Sequence, residues 1–464
     1  MTETFLQLKV LLIGRGAREH ALALKLSQSN HVSKIVVVPG NGGTYTDIPK
    51  TCNVGGIDEN DFQGLLKLAQ ELKINMVVPG PDAPIVNGIG DLFREAKIWC
   101  FAPSKAAAQI EGSKAFSKDF MERHKVPTAT YASFKNTHNA KQYIDDCTSH
   151  DLLRRVVIKA SGLAAGKGVV IPQTRDEAFQ ALDEMMLADK FGEAGNEIVI
   201  EEFLEGEELS IHTFCDGKTF KSLPAAQDHK RIFDGDQGPN TGGMGCYCPV
   251  RAAIPSMMRD IERLIIKPTL DGLRDEGAPF VGMLFTGVML TKSGPKCLEY
   301  NARFGDPEGQ TLLPLLESDL AEIMLACITG NLHQVDLIME NKFCATVVLA
   351  SRGYPEEYKT GYQINFQPFH TDASSSLCMS TENLLEKRAV KSHVSYLAAG
   401  TRLDQDGMFV TNGGRVIAVI AKMDTLEKAI RMVYRGVKRV SFEGMQFRRD
   451  IAHRSLHPIG SENN

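Results

Sequence analysis

Four groups of residues in this chain have the types and spacing that phosphate and carboxylate chemistry requires. The first is Val156 to Ile171, VVIKASGLAAGKGVVI. Two apolar, β-branched runs enclose Gly162, Gly166, Lys167 and Gly168, and Lys159 closes the first run, which predicts a strand, a glycine loop and a strand. Such a loop can bring backbone N–H groups and a lysine against an anion with no Cβ in the way. The same residues also suit an ordinary hairpin turn. A Walker A loop is excluded: Gly168 stands where Ser or Thr is needed, and a strand-like run follows instead of a helix. The second group is Glu299 and Asn301, two apart on a predicted strand and therefore on one face. A carboxylate and an amide oxygen converging that way form an incomplete shell for Mg²⁺, leaving positions for phosphate oxygens and water. Arg303, on the same face, could neutralise a transferring phosphoryl group.

The third group is GRGAREH, Gly14 to His20, between a strand at Lys9 to Ile13 and a helical pattern from about Glu19 to Ser29. Unpaired N–H groups and the helix dipole suit a phosphate there, and Arg18 adds a bidentate donor. Tight strand-to-helix packing accounts for the glycines equally well. The dinucleotide fingerprint is not matched, because Glu19 stands where its third glycine should be. The fourth group is IVIEEFLEGEELSI, Ile198 to Ile211, where Glu201, Glu202, Glu207 and Glu208 lie between apolar flanks that argue for a partly buried edge rather than a solvated charge run. Between the second and fourth groups, Ala225 to Pro249 carries few strand or helix signals but holds Asp228, His229, Lys230, Arg231, Asp234 and Asp236. A long irregular loop of this kind is commonly functional. His229 has no identifiable catalytic partner and reads as a loop hydrogen-bonder.

The elements that must position these groups follow in order. Strands at Lys9 to Ile13, Ile35 to Val38, Asn75 to Val78 and Ile98 to Phe101 alternate with helical segments, the last running from Ser104 to His124. This predicts a doubly wound parallel sheet over roughly the first hundred residues, with ligands at the carboxyl ends of its strands. Asp82, in the turn after the third strand, either holds a sugar hydroxyl or caps its turn. A helix is predicted over Asp176 to Asp189 with Ala178, Leu182, Met185 and Met186 as core filler. A hairpin is predicted over Phe285 to Met289 and Lys296 to Tyr300. Beyond about Gly330 the pattern becomes strand-rich α+β, with strands at Cys344 to Ser351 and Arg415 to Ala421 and a helix near Leu426 to Val437. Gln367 to Ser395 reads as a surface insertion.

At 464 residues the chain exceeds one hydrophobic core. Its 43% hydrophobic and 23% charged residues are ordinary for a globular protein, and a net charge of -5 argues against nucleic acid as a partner. The ten cysteines lack zinc-type spacing and fit reduced thiols. No signal-peptide pattern opens the chain and no apolar run approaches bilayer length, so a cytosolic protein without a membrane partner is expected.

Taken together, GRGAREH, KASGLAAGKGV, AAQDHKR, GPNTGGMG, EYNARFGDPE and TNGGRV resemble the ATP-grasp enzymes and, more narrowly, the glycinamide ribonucleotide synthetase (phosphoribosylamine-glycine ligase) family. The resemblance runs over nearly the whole chain. It implies an N-terminal Rossmann-like domain over 1–112, an ATP-grasp domain over 113–330 with a lid at about 127–203, and a C-terminal mixed domain over 331–464. It implies that ATP phosphorylates the carboxylate of glycine and that the amine of 5-phosphoribosylamine displaces the phosphate. Lys114 and Lys159 would contact ATP phosphates under the Gly162 to Gly168 loop, a mobile lid that includes Gly166 and Lys167. Glu201, Glu202, Phe203 and Leu204 would form the hinge, with the Glu202 carbonyl and the Leu204 N–H on adenine. Glu208 would hold the ribose, and Lys230 belongs with the nucleotide-binding residues. Glu299 and Asn301 would bind Mg²⁺ or Mn²⁺, and Arg303 would steady the phosphoryl group. Gly14, Gly16, Arg18 and Asp82 would receive phosphoribosylamine, and Asp306 and Glu308 would lie near glycine or the amine. The family's usual glycine at Ala17, glutamate at Asp82 and histidine at Ala398 are replaced here. Eukaryotic relatives carry this module at the start of a multifunctional polypeptide, so fusion to other purine enzymes and a monomeric module are expected. Another ATP-grasp ligase and a catalytically silent nucleotide-binding module are the competing readings.

Overall fold

The computed structural model describes residues 7–46, 48–150, 155–164, 168–187, 192–367 and 393–456. The first sheet is parallel, in the order Thr51–Asn53, Val32–Pro39, Leu8–Gly14, Met76–Pro79, Trp99–Cys100. Both faces are covered, which is why Val10 to Ile13 and Ile35 to Val38 are continuous apolar runs with no exposed residue. The strand order reverses beside Leu8–Gly14, so the ends of that strand and of Met76–Pro79 open a crevice at the switch point.

Two antiparallel sheets face each other across the middle of the chain. One runs Tyr131–Phe134, Ile198–Glu202, Val156–Ala160, Val169–Val170. Helices Thr137–His150 and Arg175–Met186 close a small separate core on it, with Ala178, Leu182 and Met185 buried as the sequence led one to expect. The other runs Phe220–Ser222, Glu207–Asp216, Val281–Thr291, Gly294–Asn301. The acidic stretch thus belongs to both sheets, and the chain crosses between them at Phe203 to Gly206. A Cβ at Gly206 would stand 2.1 Å from the Leu290 carbonyl oxygen, so only glycine fits this crossing.

The expected single helix over Ser104 to His124 is two helices, Lys105–Gly112 and Lys114–Arg123. Ser113 breaks it with extended backbone (φ -140°, ψ 116°) while its hydroxyl accepts the Phe116 N–H as an N-cap. Ser161, at the start of the glycine loop, fixes the break by accepting from the N–H groups of Lys114 and Ala115 at 2.7 and 3.1 Å. The expected irregular stretch Ala225 to Pro249 holds four short strands. Two of them, Gln227–Asp228 and Gly245–Cys248, extend the C-terminal sheet Phe343–Ser351, Arg415–Met423, Val394–Ala398. They are too short for periodicity to reveal them: Gln227–Asp228 pairs with Gly245–Cys248, which pairs in turn with Phe343–Ser351 much later in the chain. Helix Leu426–Val437 covers that sheet with Leu426, Ala429, Val433 and Val437 buried. Most of the expected insertion at Gln367 to Ser395 lies outside the described residues, although Ser395 falls in strand Val394–Ala398.

Candidate active site

A cleft of about 1060 Å³ lies between the two central sheets and reaches the crevice of the parallel sheet. Lys159 and Glu201 occupy adjacent strands, Val157 being the direct partner of Glu201. Their side chains meet at 2.8 Å, and Lys118, one helical turn beyond Lys114, approaches the other carboxylate oxygen at 3.1 Å. Glu201 is 3% exposed and Lys118 2%, so this carboxylate is buried between two lysines. Burial lowers the pKa of Lys159, but Glu201 and Glu299 outweigh it and the net shift is upward. Lys114, at the start of its helix, donates to the Gly162 carbonyl at 3.3 Å, and burial lowers its pKa.

On the opposite wall Lys230 bridges Glu208 at 2.5 Å and Glu299 at 3.3 Å. The Glu299 carboxyl is held down to about 2 by Lys230 first, with Lys159 and Lys114 adding to it against burial. It is therefore ionised at neutral pH. Asn301 Oδ1 accepts from Arg303 at 3.0 Å, and Arg303 also lies 3.1 Å from Glu111 and 3.8 Å from Asp82. No cluster of three or more His, Cys, Asp or Glu able to hold a metal exists among the described residues. Glu299 with Asn301 fits a divalent cation that takes its remaining ligands from phosphate and water.

At the crossing, Thr130 N–H and Lys296 donate to the Glu202 carboxylate at 2.9 and 3.1 Å. The Arg155 guanidinium stacks 4.0 Å from the Phe203 ring centre, and the Phe203 N–H donates to the Arg155 carbonyl. Glu202, Phe203, Leu204 and Glu208 all face the cleft, as do Lys114, Lys159, Lys230, Gly168, Glu201, Glu299, Asn301 and Arg303. Gly162 does not reach its wall; its N–H donates to Ala194 O. Gly166 and Lys167 lie outside the described residues, and so does the tip of the glycine loop.

In the parallel-sheet crevice, Arg18, Asp82, Asp306 and Glu308 face the cleft and Gly14 and Gly16 do not. The Glu19 carboxylate fills the glycine cradle: it accepts the Gly16 N–H and Arg18 Nε, each at 2.6 Å. A Cβ at Gly80 would come within 2.0 Å of Glu19 Oε1. Glu19, noted in the sequence only as a missing glycine, thus fills the cradle, and Arg18, held by Glu19 and by the Phe304 carbonyl at 3.2 Å, is the residue of this turn that lines the cleft. Asp82 caps its turn, one oxygen accepting the Ala83 N–H at 2.8 Å, while its other oxygen lies 3.8 Å from Arg303. Asp306 is bound by Gln310 at 2.5 Å and by Arg415 at 3.1 Å. Burial pushes Glu308 and Asp228 both upward; the Glu308 carboxylate adds to the rise of Asp228, whereas hydrogen bonds from the backbone and Ser210 oppose that of Glu308. His229 is a buried hydrogen-bonder, accepting the Ala452 N–H at 3.1 Å, in keeping with its sequence reading.

Four residues of the site carried no assigned role in the sequence. Glu111 and Lys118 sat in a stretch read as plain helix, although Lys118 is four residues from Lys114 and so shares its face. Asp228 and Arg415 lie within the motifs AAQDHKR and TNGGRV, but only the fold brings them to the cleft.

Sequence profiles of phosphoribosylglycinamide synthetase match the chain in three consecutive parts: the N domain over residues 8–111, the ATP-grasp (A) domain over 112–309 and the C domain over 344–454. Over 97% of its length the chain is 53% identical to the bifunctional purine biosynthetic protein ADE1 of Schizosaccharomyces pombe, covering 54% of that protein. It is 43% identical to the phosphoribosylamine-glycine ligase of Chlorobaculum tepidum, covering 97% of this chain and all of that one. The chain spans about half the length of the bifunctional relatives it matches, such as that of S. pombe at 54%. A crystal structure of phosphoribosylamine-glycine ligase from Thermotoga maritima superposes with a TM-score of 0.78 at 31% identity, over 96% of this chain and 100% of that one. A biotin carboxylase domain from Hydrogenobacter thermophilus shares the fold at 14% identity (TM-score 0.71, 95% and 92% covered). The chain belongs to the phosphoribosylglycinamide synthetase family, with all three of its domains present in order.

Proposed function

We propose that this chain ligates glycine to 5-phosphoribosylamine at the expense of ATP, giving glycinamide ribonucleotide, ADP and phosphate in purine biosynthesis. One observation carries the reading: a single cleft brings three lysines, the Glu299–Asn301 pair and Arg303 to the same space as Arg18 in the parallel-sheet crevice. A carboxylate is a poor acyl donor until one oxygen leaves as phosphate, so the protein's task is positioning and charge neutralisation. Lys114, Lys159 and Lys230 stand where nucleotide phosphates are held, and Glu202 to Leu204 line the adenine end. Leu204 supports that role, since its N–H makes no hydrogen bond among the described residues. Glu299 and Asn301 hold Mg²⁺ or Mn²⁺, which supplies charge neutralisation at the phosphates. Arg303, kept in place by Glu111, faces the transferred group. Glycine's carboxylate attacks the terminal phosphorus as the bond to ADP breaks and ADP departs; the amine of phosphoribosylamine then attacks the carbonyl carbon of the glycyl phosphate, the C–O bond to phosphate breaks, and the amine nitrogen loses a proton to give the amide.

The division into 1–112, 113–330 with a lid at 127–203, and 331–464 is part of this reading, with Gly162, Gly166, Lys167 and Gly168 in the closing loop. Gly14 and Gly16 shape the phosphoribosylamine site indirectly, through Glu19 and Arg18. A cytosolic setting is in keeping with it, and no helix among the described residues is long and apolar enough to cross a membrane. The S. pombe and human relatives are described as bifunctional and trifunctional, which supports fusion to other purine enzymes; within such a chain we take this module to be monomeric.

The test is ADP release with glycine plus phosphoribosylamine against each alone. Release that requires both supports the reading. Release with another carboxylate and amine, but not with these, assigns a different ATP-grasp ligase, and no release under any of these conditions leaves a silent nucleotide-binding module.

A further inference from the structure

Arg415 begins strand Arg415–Met423 of the C-terminal sheet, yet its guanidinium works in the cleft. One nitrogen donates to the carbonyls of Gly242, Asp306 and Gly243 at 2.7, 2.9 and 3.4 Å, and the other lies 3.1 Å from the Asp306 carboxylate. These oxygens belong to two turns far apart in the chain. The turns themselves are in tight contact: a Cβ at Gly243, whose φ is +113°, would stand 2.4 Å from Pro307 Cδ and 2.7 Å from Asp228. Arg415 spans the seam between them, and the Gly242 N–H donates to the Tyr354 hydroxyl at 3.1 Å, tying the same turn to the C-terminal sheet a second time. A planar fork with several fixed donors can hold carbonyls and a carboxylate at once, which an ammonium on a flexible stem cannot. Asp306 has one partner on each carboxylate oxygen, Gln310 and Arg415, so with about four acceptor sites it keeps capacity for a donor in the cleft.

We propose that Arg415 is a positioning residue which fixes Asp306 and the Gly242–Gly243 turn on the cleft wall, so that recognition of the amino-bearing cosubstrates depends on a guanidinium supplied by the C-terminal sheet. The identity of those cosubstrates rests on the ligase reading above; the clamp itself does not. Nucleotide binding, built from Lys114, Lys159, Lys230 and Glu202 to Leu204, is separate from it.

The experiment compares Arg415→Lys, Arg415→Met, Asp306→Asn and the Arg415→Met/Asp306→Asn double variant in the full chain. Arg415→Met is expected to lower kcat/KM for glycine or for phosphoribosylamine by about 10- to 100-fold, the size of a lost charge-assisted hydrogen bond, with KM for ATP within about twofold. Arg415→Lys is expected to fall between wild type and Arg415→Met. The double variant is expected to be no more than about twofold worse than the poorer single, because both act through one contact. A ligand-free measurement accompanies these: amide hydrogen exchange in 238–246 and 304–312 should quicken in Arg415→Met and in Arg415→Lys, with 8–38 unchanged. Additive single effects, an equal rise in KM for ATP, or unchanged exchange in the two turns would overturn the proposal. If the wild type shows no ligation, the functional reading fails, and the exchange result still decides the clamp. If Arg415→Met does not fold, Arg415→Lys carries both readouts.

Discussion

At the scale of single residues the cleft is a set of charges that compensate one another in pairs and triples. Lys230 lies between Glu208 and Glu299, and Glu201 between Lys118 and Lys159, so opposite charges meet within ion-pair distance in a partly dry space. Glu299→Ala removes a cation ligand and the partner of Lys230. Turnover should fall by about a thousandfold while circular dichroism stays unchanged. Near-normal rates at saturating Mg²⁺ would remove Glu299 from the metal role. Three histidines outside the catalytic set make a separate prediction. Burial, first of all, holds His20 at about 4 and His212 and His229 at about 3, against an ordinary value of 6.5. Above the ordinary value both folded and unfolded states are neutral, so their contribution to stability is complete. As the pH falls below it the unfolded chain takes up protons that the folded chain refuses, and stability is lost down toward the folded values. Each histidine contributes up to about 1.4 kcal/mol per pH unit in that window. Urea unfolding at stepped pH should show this slope, and His229→Gln should be shallower by one proton; an equal slope would mean that His229 is not buried as described.

At the scale of elements the decisive feature is the break at Ser113. It turns the chain so that Lys114 opens a new helix facing the cleft, and Ser161 at the start of the glycine loop bonds back to that helix end. Ser113→Ala removes the cap on Phe116 and the 3.2 Å contact with the Ser161 hydroxyl. Stability should drop by about 1 kcal/mol, read as a shift in the urea midpoint, and KM for ATP should rise with it. An unaltered KM would show that Lys114 does not depend on the break. The hairpin Val281–Thr291 and Gly294–Asn301, by contrast, was recognised over Phe285 to Met289 and Lys296 to Tyr300 without tertiary help, because an apolar run followed by a polar turn marks it locally.

At the scale of the molecule the C-terminal sheet is not self-contained. Gly245–Cys248 pairs along Phe343–Ser351, so the central part of the chain supplies an inner strand to a sheet whose other long strands come after residue 342. Ala398 meets the N-terminal unit through its carbonyl, which accepts from Asn41 at 2.8 Å, and its N–H, which donates to His20 at 3.1 Å. A chain ending at Lys342 would leave Gly245–Cys248 as an unpaired edge, expose the apolar faces packed on it and lose Arg415. It should aggregate in size-exclusion chromatography. A monomer that unfolds cooperatively would show instead that the C-terminal sheet is dispensable.

The sequence by itself determined the strands and helices whose signals are local: four of the five parallel-sheet strands, Thr51–Asn53 being missed, the helix at Leu426 to Val437 and the strands on either side of the glycine loop after Lys159. It also picked out Lys159, Glu201, Glu202, Glu208, Glu299 and Arg303 at the cleft, because glycine loops, paired acids and a carboxylate beside an amide are legible from spacing, whereas Lys114, Asp306 and Glu308 came only with the family resemblance. Tertiary structure decided the partners. That Glu201 neutralises Lys118 and Lys159, that Glu19 fills the cradle read as a phosphate turn, and that Arg415 reaches Asp306 from 109 residues away are facts of packing. The physical reason is the same in each case. A buried charge must find an opposite charge or a hydrogen bond wherever the fold brings one, and no local pattern in the chain encodes which distant residue that is.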